Sequence, residues 1–200
     1  MPGLFNVYNA LAAIAVGWKE GIEPFLLGEA LAGVRSIPGR CQDIDCGQDY
    51  QVLVDFAHNP DALEKILQWA GNSNGARKIL VFGCEGEKDR GKRPIMGEIA
   101  GKLADYCIIT SDNWFYEDPY RIAEDIITGL RSSGTPGDRY EVILDRYRAI
   151  EKALGMARPG AVVIVAGRGH EERLVLRDKV IPFKDEEVIR EILSRQYRIS

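Results

Sequence analysis

Between residues 51 and 166 the chain returns repeatedly to one device: a short apolar run followed by a segment of helical periodicity. The runs occupy residues 51–55, 78–82, 105–110, 140–144 and 161–166, and the helical segments 60–70, 91–104, 119–130 and 146–157. Runs this apolar, without polar alternation, suit strands buried on both faces, and intervening helices suit parallel pairing. The expected class is α/β: a Rossmann-like, mostly parallel sheet with helices on both faces. Residues 175–183 read as a hairpin turning at Arg177-Asp178-Lys179, and 185–195 as a closing helix.

The first residues do not follow this pattern. Residues 4–18 are Ala-rich and helical, 23–34 read as a second amphipathic helix, and Ser36-Ile37-Pro38-Gly39 breaks the periodicity. Two short helices cannot bury their apolar faces without partners. Residues 1–36 are therefore expected to be the terminal helices of a preceding domain, and 37–200 the α/β domain.

A net charge of −4 argues against a nucleic-acid surface, which needs a basic stripe. The four cysteines lack metal-ligand spacing, which points to reduced thiols in the cytoplasm. No apolar run approaches the roughly 20 residues of a membrane span, and no signal peptide is visible.

In parallel sheets, ligands sit beyond the C-terminal ends of the strands. That rule selects four loops: 55–60, 83–91, 111–119 and 167–171. The second nearly spells a phosphate loop, Gly86-Glu87-Lys88-Asp89-Arg90-Gly91-Lys92-Arg93, but Arg93 stands where a hydroxyl must hold Mg²⁺. Its mixture of Lys88, Arg90 and Arg93 fits a zwitterion or carboxylate better, or simply a solvated loop. Asp55, ending a buried strand, is costly unless paired, and an acid there often accepts from a ribose hydroxyl. His58 stands beside a helix N-terminus, where it could meet phosphate or cap the loop. Asp112 and Asn113 offer acceptors to an ammonium, while Asp118 before Pro119 is suited to capping a helix. In Gly167-Arg168-Gly169-His170-Glu171 two glycines allow close backbone approach and Glu171 can take a positive charge.

Taken in order, FNVYNALAA, IPGR, VDFAHNPDAL, VFGCEGEKDRGKRPIMGEIA, TSDN, EDP and AGRGHE make the chain resemble the Mur ligases over essentially all 200 residues. The resemblance is closest to the branch that adds the third residue of the peptidoglycan stem peptide. It implies a three-domain, ATP- and Mg²⁺-dependent ligase, of which this chain is the C-terminal domain plus the last helices of the central one. ATP would phosphorylate the terminal carboxylate of UDP-MurNAc-dipeptide, and the amine of an incoming amino acid would displace phosphate from the acyl phosphate. On the same resemblance, Asn6 and Asn9 match adenine-side asparagines, Arg40 and Asp55 match nucleotide contacts, and His58 matches a residue near the phosphates. Asp112, Asn113, Gly167 and Glu171 match positions that hold the incoming diamino acid.

Three departures stand out. Members using diaminopimelate carry D-N-P-R, and Phe115 replaces that arginine. Lys88 replaces a second arginine, and Arg168 replaces the lysine of A-G-K-G-H-E. Neither Phe nor Lys grips a carboxylate bidentately, so a different or relaxed amino-acid specificity is expected. Without a phosphate loop in these 200 residues, no ligation is expected of the chain alone. The competing readings are a free-standing, non-catalytic binding domain and a polyglutamate or cyanophycin-type ligase, the latter disfavoured by TSDN and AGRGHE.

Overall fold

The computed structural model describes residues 4–34, 36–71 and 75–197. A two-residue strand, β1 (Gln42–Asp43), lies antiparallel to β2 (Gln51–Asp55) at the edge of a six-stranded sheet. The other strands are β3 (Lys78–Phe82), β4 (Tyr106–Ile109), β5 (Tyr140–Val142) and β6 (Val162–Ala166). All pair in parallel with β2 in the order β2-β6-β3-β4-β5, so β6, last of the five in the chain, sits between the first two.

Which face each helix covers follows from that order. The chain steps outward from β2 to β5 through α3 (Pro60–Gly71), α4 (Lys92–Leu103) and α5 (Pro119–Ser132), then returns to β6 through α6 (Arg146–Met156). Parallel crossovers are right-handed, so reversing the direction of travel moves the connecting helix to the opposite face. The core agrees. Leu53, Leu80, Phe82, Ile109 and Ile164 pack with α3, α4 and α5. Their strand neighbours Val54, Ile79, Val81, Ile108 and Val165 pack with α6 and α7 (Asp185–Tyr197).

Preceding the sheet are α1 (Leu4–Lys19) and α2 (Pro24–Gly33), which meet where the absent side chain of Gly17 admits Leu27. α2 buries no residue, and Tyr8, Trp18 and Phe25 stand in solvent. The apolar stripes expected to need partners are thus uncovered.

Local differences from expectation have local causes. The hairpin begins earlier, with β7 (Arg173–Leu176) and β8 (Lys179–Pro182), because β7 is held by the loop after β4. β5 ends at Val142, since the Leu144 carbonyl turns to accept the Ser111 amide at 3.3 Å. β1 is too short to leave a periodic signal. All four cysteines are free. Burial pushes the thiols of Cys41, Cys84 and Cys107 up to about 12, which leaves them inert. No described helix is long and apolar enough to cross a membrane.

Candidate functional site at the ends of the central strands

The connections after β2, β3 and β4 leave toward α3, α4 and α5, whereas the chain after β6 leads to α7 on the other face. Strand ends diverging in this way open a crevice, and β6 has one on either side. The loop 167–171 is the shared wall.

On the β2 side the backbone comes first. Asp55 Oδ2 accepts the Cys41 amide at 2.6 Å, and its Oδ1 accepts the Ala57 amide at 2.8 Å. Burial raises its pKa, while those two amides and Arg40 oppose the rise. The Gly39 carbonyl accepts from Phe56 N at 2.8 Å. Gly39 has φ +68, and a Cβ there would stand 2.2 Å from His170 N, so only glycine lets this turn lie on the β6 loop. Above the turn, the exposed Arg40 guanidinium lies 5.1 Å from the Phe56 ring centroid, with His58 and His170 rings 4.5 and 5.2 Å from the same ring. His58 Nδ1 is 2.9 Å from the Phe56 carbonyl. A carbonyl can only accept, so Nδ1 donates to it and Nε2 lies on the far side of the ring from that bond.

The other crevice is built around Arg168, whose side chain is fully buried. Its Nη1 donates to Asp112 Oδ1 and Asn113 Oδ1, both at 3.0 Å, and lies 3.2 Å from Glu171 Oε2. Its Nη2 donates to the Arg173 carbonyl. Asn113 Oδ1 also accepts from the Val175 amide at 2.9 Å. With two donors on that oxygen, Nδ2 must face Glu171 Oε2 (3.1 Å) and Glu85 Oε1 (3.3 Å). Gly167, at φ +108, packs beside Asp112 Oδ2, which would lie 3.3 Å from a Cβ at that position. Burial raises the pKa of Glu171, Arg168 and Asn113 lower it, and Asp112 and Glu85 raise it.

Arg146 forms the floor beneath. It grips Asp185 with both carboxylate oxygens at 2.8 Å and donates to the Ala166 carbonyl at 3.0 Å and the Ser111 carbonyl at 3.4 Å. Both partners are wholly buried, so losing either would strand a charge in the core. The pair ties the first residue of α7 to the ends of β6 and β4.

The loop after β3 departs from expectation. Lys88 is exposed, but Arg93 is fully buried in the first turn of α4. Arg93 holds Glu117 through both nitrogens at 2.8 Å and Asp125 at 2.9 Å. It is therefore a strut rather than a member of a ligand-binding cluster with Lys88 and Arg90, and it cannot serve a phosphate. Asp118 caps α5 as expected, accepting the Tyr120 amide at 3.0 Å.

A sequence profile described as "Mur ligase, glutamate ligase domain" matches residues 39–169. The chain belongs to the Mur ligase family. It is 49% identical over 191 residues to the UDP-N-acetylmuramoyl-L-alanyl-D-glutamate–2,6-diaminopimelate ligase of Syntrophomonas wolfei, a match spanning 96% of this chain and 39% of that one. The enzyme of the same description from Caldanaerobacter subterraneus is 46% identical over 194 residues, spanning 97% and 39%. A solved structure of a UDP-N-acetylmuramoyl-L-alanyl-D-glutamate–2,6-diaminopimelate ligase matches at TM-score 0.75 and 34% identity, over 98% of this chain and 40% of its own. A UDP-N-acetylmuramate–alanine ligase from Thermotoga maritima, at TM-score 0.70 and 22% identity, shares the fold. The chain thus spans about two fifths of the length of the relatives it matches.

Within this Mur ligase domain the residues singled out from sequence fall into distinct groups. Arg40, Asp55 and His58 gather on the β2 side of the 167–171 loop; Asp112, Asn113, Gly167 and Glu171 gather on the other. Asn6 and Asn9 lie one turn apart on α1, with Asn9 Nδ2 3.5 Å from Asn6 Oδ1 and Asn6 buried. Lys88 stands outside both. Phe115 is half-buried at φ +52, bridges to Leu176, and lines a cavity of about 320 Å³ with Trp114, Tyr116 and Arg177. Sequence reasoning missed Arg146, Asp185, Glu85 and Glu117. Only Glu117 carried any local signal, standing beside the Asp118-Pro119 cap.

Proposed function

We propose that the chain is the C-terminal domain of an ATP-dependent amide ligase of peptidoglycan precursor synthesis, adding a diamino acid to UDP-MurNAc-dipeptide. The carrying observation is the pairing of two polar clusters across one loop: an acidic, amide-bearing cluster beside β4 and a cationic, aromatic cluster beside β2. Mur ligase membership and the relatives' description as diaminopimelate ligases support the reading.

On the β4 side, Asp112, Asn113 and Glu171 orient the incoming amino acid by its ammonium group, and Gly167 leaves room for it. On the β2 side, Arg40 offers an exposed cation, Asp55 retains lone pairs beyond its two amide bonds, and His58 presents Nε2. That donor and acceptor set fits the ribose and phosphate side of a nucleotide, with Asn6 and Asn9 toward adenine. ATP, when bound, supplies the activated carboxyl. Mg²⁺ would accompany it, and no described group of three His, Cys, Asp or Glu residues is arranged to hold the ion independently. With Arg93 committed to Glu117 and Asp125, the 86–93 loop supplies no phosphate grip. The chain acts alongside a phosphate-binding domain, and the apolar residues of α1 and α2 belong to that domain's side of the boundary near residue 36. The setting is cytoplasmic. Phe115 and Lys88 leave the distal carboxylate of diaminopimelate without an arginine pair, so selectivity for that end is relaxed.

Asp112→Ala in the complete enzyme tests this. Losing a charge-assisted contact should raise the amino-acid KM about tenfold or more while leaving the ATP KM within about twofold. Equal rises in both constants would refute the assignment of the β4 crevice to the amine.

A further inference from the structure

Around Asp112, Asn113 and Glu171 the charges do not balance. The cluster holds the carboxylates of Asp112 and Glu171, with Glu85 reaching Asn113, and Arg168 is the cation in direct contact with it. Arg146 beneath is occupied by both oxygens of Asp185. An additional cation would therefore be welcome.

The hydrogen bonds show where it would go. Asp112 Oδ1 accepts from the Asn113 amide at 2.7 Å and from Arg168 at 3.0 Å. Glu171 Oε2 accepts from Asn113 Nδ2 at 3.1 Å and faces Arg168 at 3.2 Å. The second oxygen of each, Asp112 Oδ2 and Glu171 Oε1, has no hydrogen bond among the described residues. A guanidinium is a rigid planar fork, and burying one is costly without several acceptors. Here the fork reaches Asp112, Asn113 and the Arg173 carbonyl together, a span that one lysine nitrogen cannot cover.

We propose that Arg168 is a positioning residue: it engages one oxygen of Asp112 and one of Glu171 and locks the Asn113 amide, leaving Asp112 Oδ2 and Glu171 Oε1 to receive the ammonium of the incoming amino acid. This rests on the proposed function, because it assumes that the β4 crevice takes an amine. It adds that this chain's departure at position 168 builds the amine site rather than merely decorating it.

A pH consequence separates this role from simple packing. Glu171 faces Arg168 from its own loop, Asp112 and Asn113 from the loop after β4, Glu85 from the loop after β3, and Arg146 at the head of α6. Burial already favours its protonated form and Arg168 is the main opposing influence. Removing that cation raises the pH at which Glu171 takes up a proton, so ammonium binding fails at a higher pH as the solution is acidified.

The test is titration of the 200-residue chain with diaminopimelate and with lysine, followed by NMR amide shifts across a pH series. The variants are Asp112→Ala, Arg168→Gln and Arg168→Lys, with thermal midpoints recorded for each. Arg168→Gln should weaken binding about tenfold or more and shift its acid midpoint upward. Arg168→Lys keeps the charge, so it should retain the native midpoint while losing about threefold to tenfold in affinity. Native affinity and midpoint in Arg168→Gln would overturn the proposal, even with a lowered thermal midpoint. Should that variant not fold, native affinity in Arg168→Lys would overturn it equally. If the native chain binds neither amino acid, the assignment of the crevice to an amine falls and this inference falls with it. Binding lost in Asp112→Ala but intact in Arg168→Gln would leave that assignment standing and remove only the role of Arg168.

Discussion

Glu117 receives both terminal nitrogens of Arg93 at 2.8 Å and the Glu87 amide at 2.8 Å, with its side chain 8% exposed. The Arg93 hydrogen bonds, above all, hold its pKa down to about 2, against 4.5 for a free glutamate. A depressed acid contributes stability that is complete above the unfolded value and disappears as pH falls toward the folded one. At roughly 1.4 kcal/mol per pH unit, the contribution is on the order of 3 kcal/mol, lost between about pH 4.5 and about pH 2. Asp55 and Glu171 act in the opposite sense, because burial raises their pKa values and their ionisation opposes folding. Comparison with Glu117→Gln isolates the one contribution. Urea unfolding of that variant should show a loss of about 2–3 kcal/mol at neutral pH that falls to about half or less near pH 3 and toward zero only near pH 2. A loss independent of pH would mean that shape, not charge, holds the 86–93 loop.

At the scale of elements, α4 and α5 owe their close contact to glycines that helix propensity alone would discourage. A Cβ at Gly129 would lie 1.8 Å from the Pro94 carbonyl oxygen, and one at Gly97 would lie 2.0 Å from that of Ile126. Glycine costs a helix about 1 kcal/mol relative to alanine, so Gly129→Ala gains that much locally. Overpacking against backbone costs about 1–3 kcal/mol, occasionally more, and a contact this short belongs at the upper end. The net outcome should be destabilisation by about 1–2 kcal/mol, measured as a lower denaturant midpoint. Gly155 on α6 faces open space where a Cβ would stand, so Gly155→Ala should instead stabilise by a few tenths to about 1 kcal/mol. Equal effects at the two sites would discard the packing account. The elements themselves were legible: all five parallel strands fall where apolar runs stood, and Pro60 and Pro119 open helices as expected. The glycine contacts were not, because a glycine inside a helix reads the same whether it meets solvent or another helix. Strand order was not legible, because it is set by long-range pairing that no single run reveals. The run ending at Ala166 is the most apolar and proves to be buried at every residue, in the middle of the sheet.

At the scale of the whole molecule, Arg40, Asp55 and His58 lie on one flank of the loop after β6 and Asp112, Asn113, Gly167 and Glu171 on the other, while Asn9 lies apart on α1 and Lys88 outside both groups. Nothing local to Asp112 or Asp55 distinguishes those flanks, since the split arises from the reversal of chain direction at β5. Arg146 and Asp185, 39 residues apart, were equally invisible because the partner of a buried charge is a long-range fact. The same view separates α1 and α2 from the rest. Both core clusters draw their residues from position 41 onward, while α2 buries nothing and Trp18 and Phe25 remain 70% and 73% exposed. A unit with its own core unfolds cooperatively without an appendage that buries little. Removing residues 1–36 should therefore shift the thermal midpoint of the remaining chain by less than about 3 °C, because 1 kcal/mol corresponds to about 2–4 °C at this size. In the intact chain, amides of α1 and α2 should exchange with solvent far faster than those of β3 and β6. A fall of about 10 °C or more on deletion would show that the helices share the cooperative unit, and the boundary near residue 36 would have to be abandoned. A small shift would leave the two apolar helices as a surface whose stability is settled by what covers them, with the sheet and its two crevices standing independently.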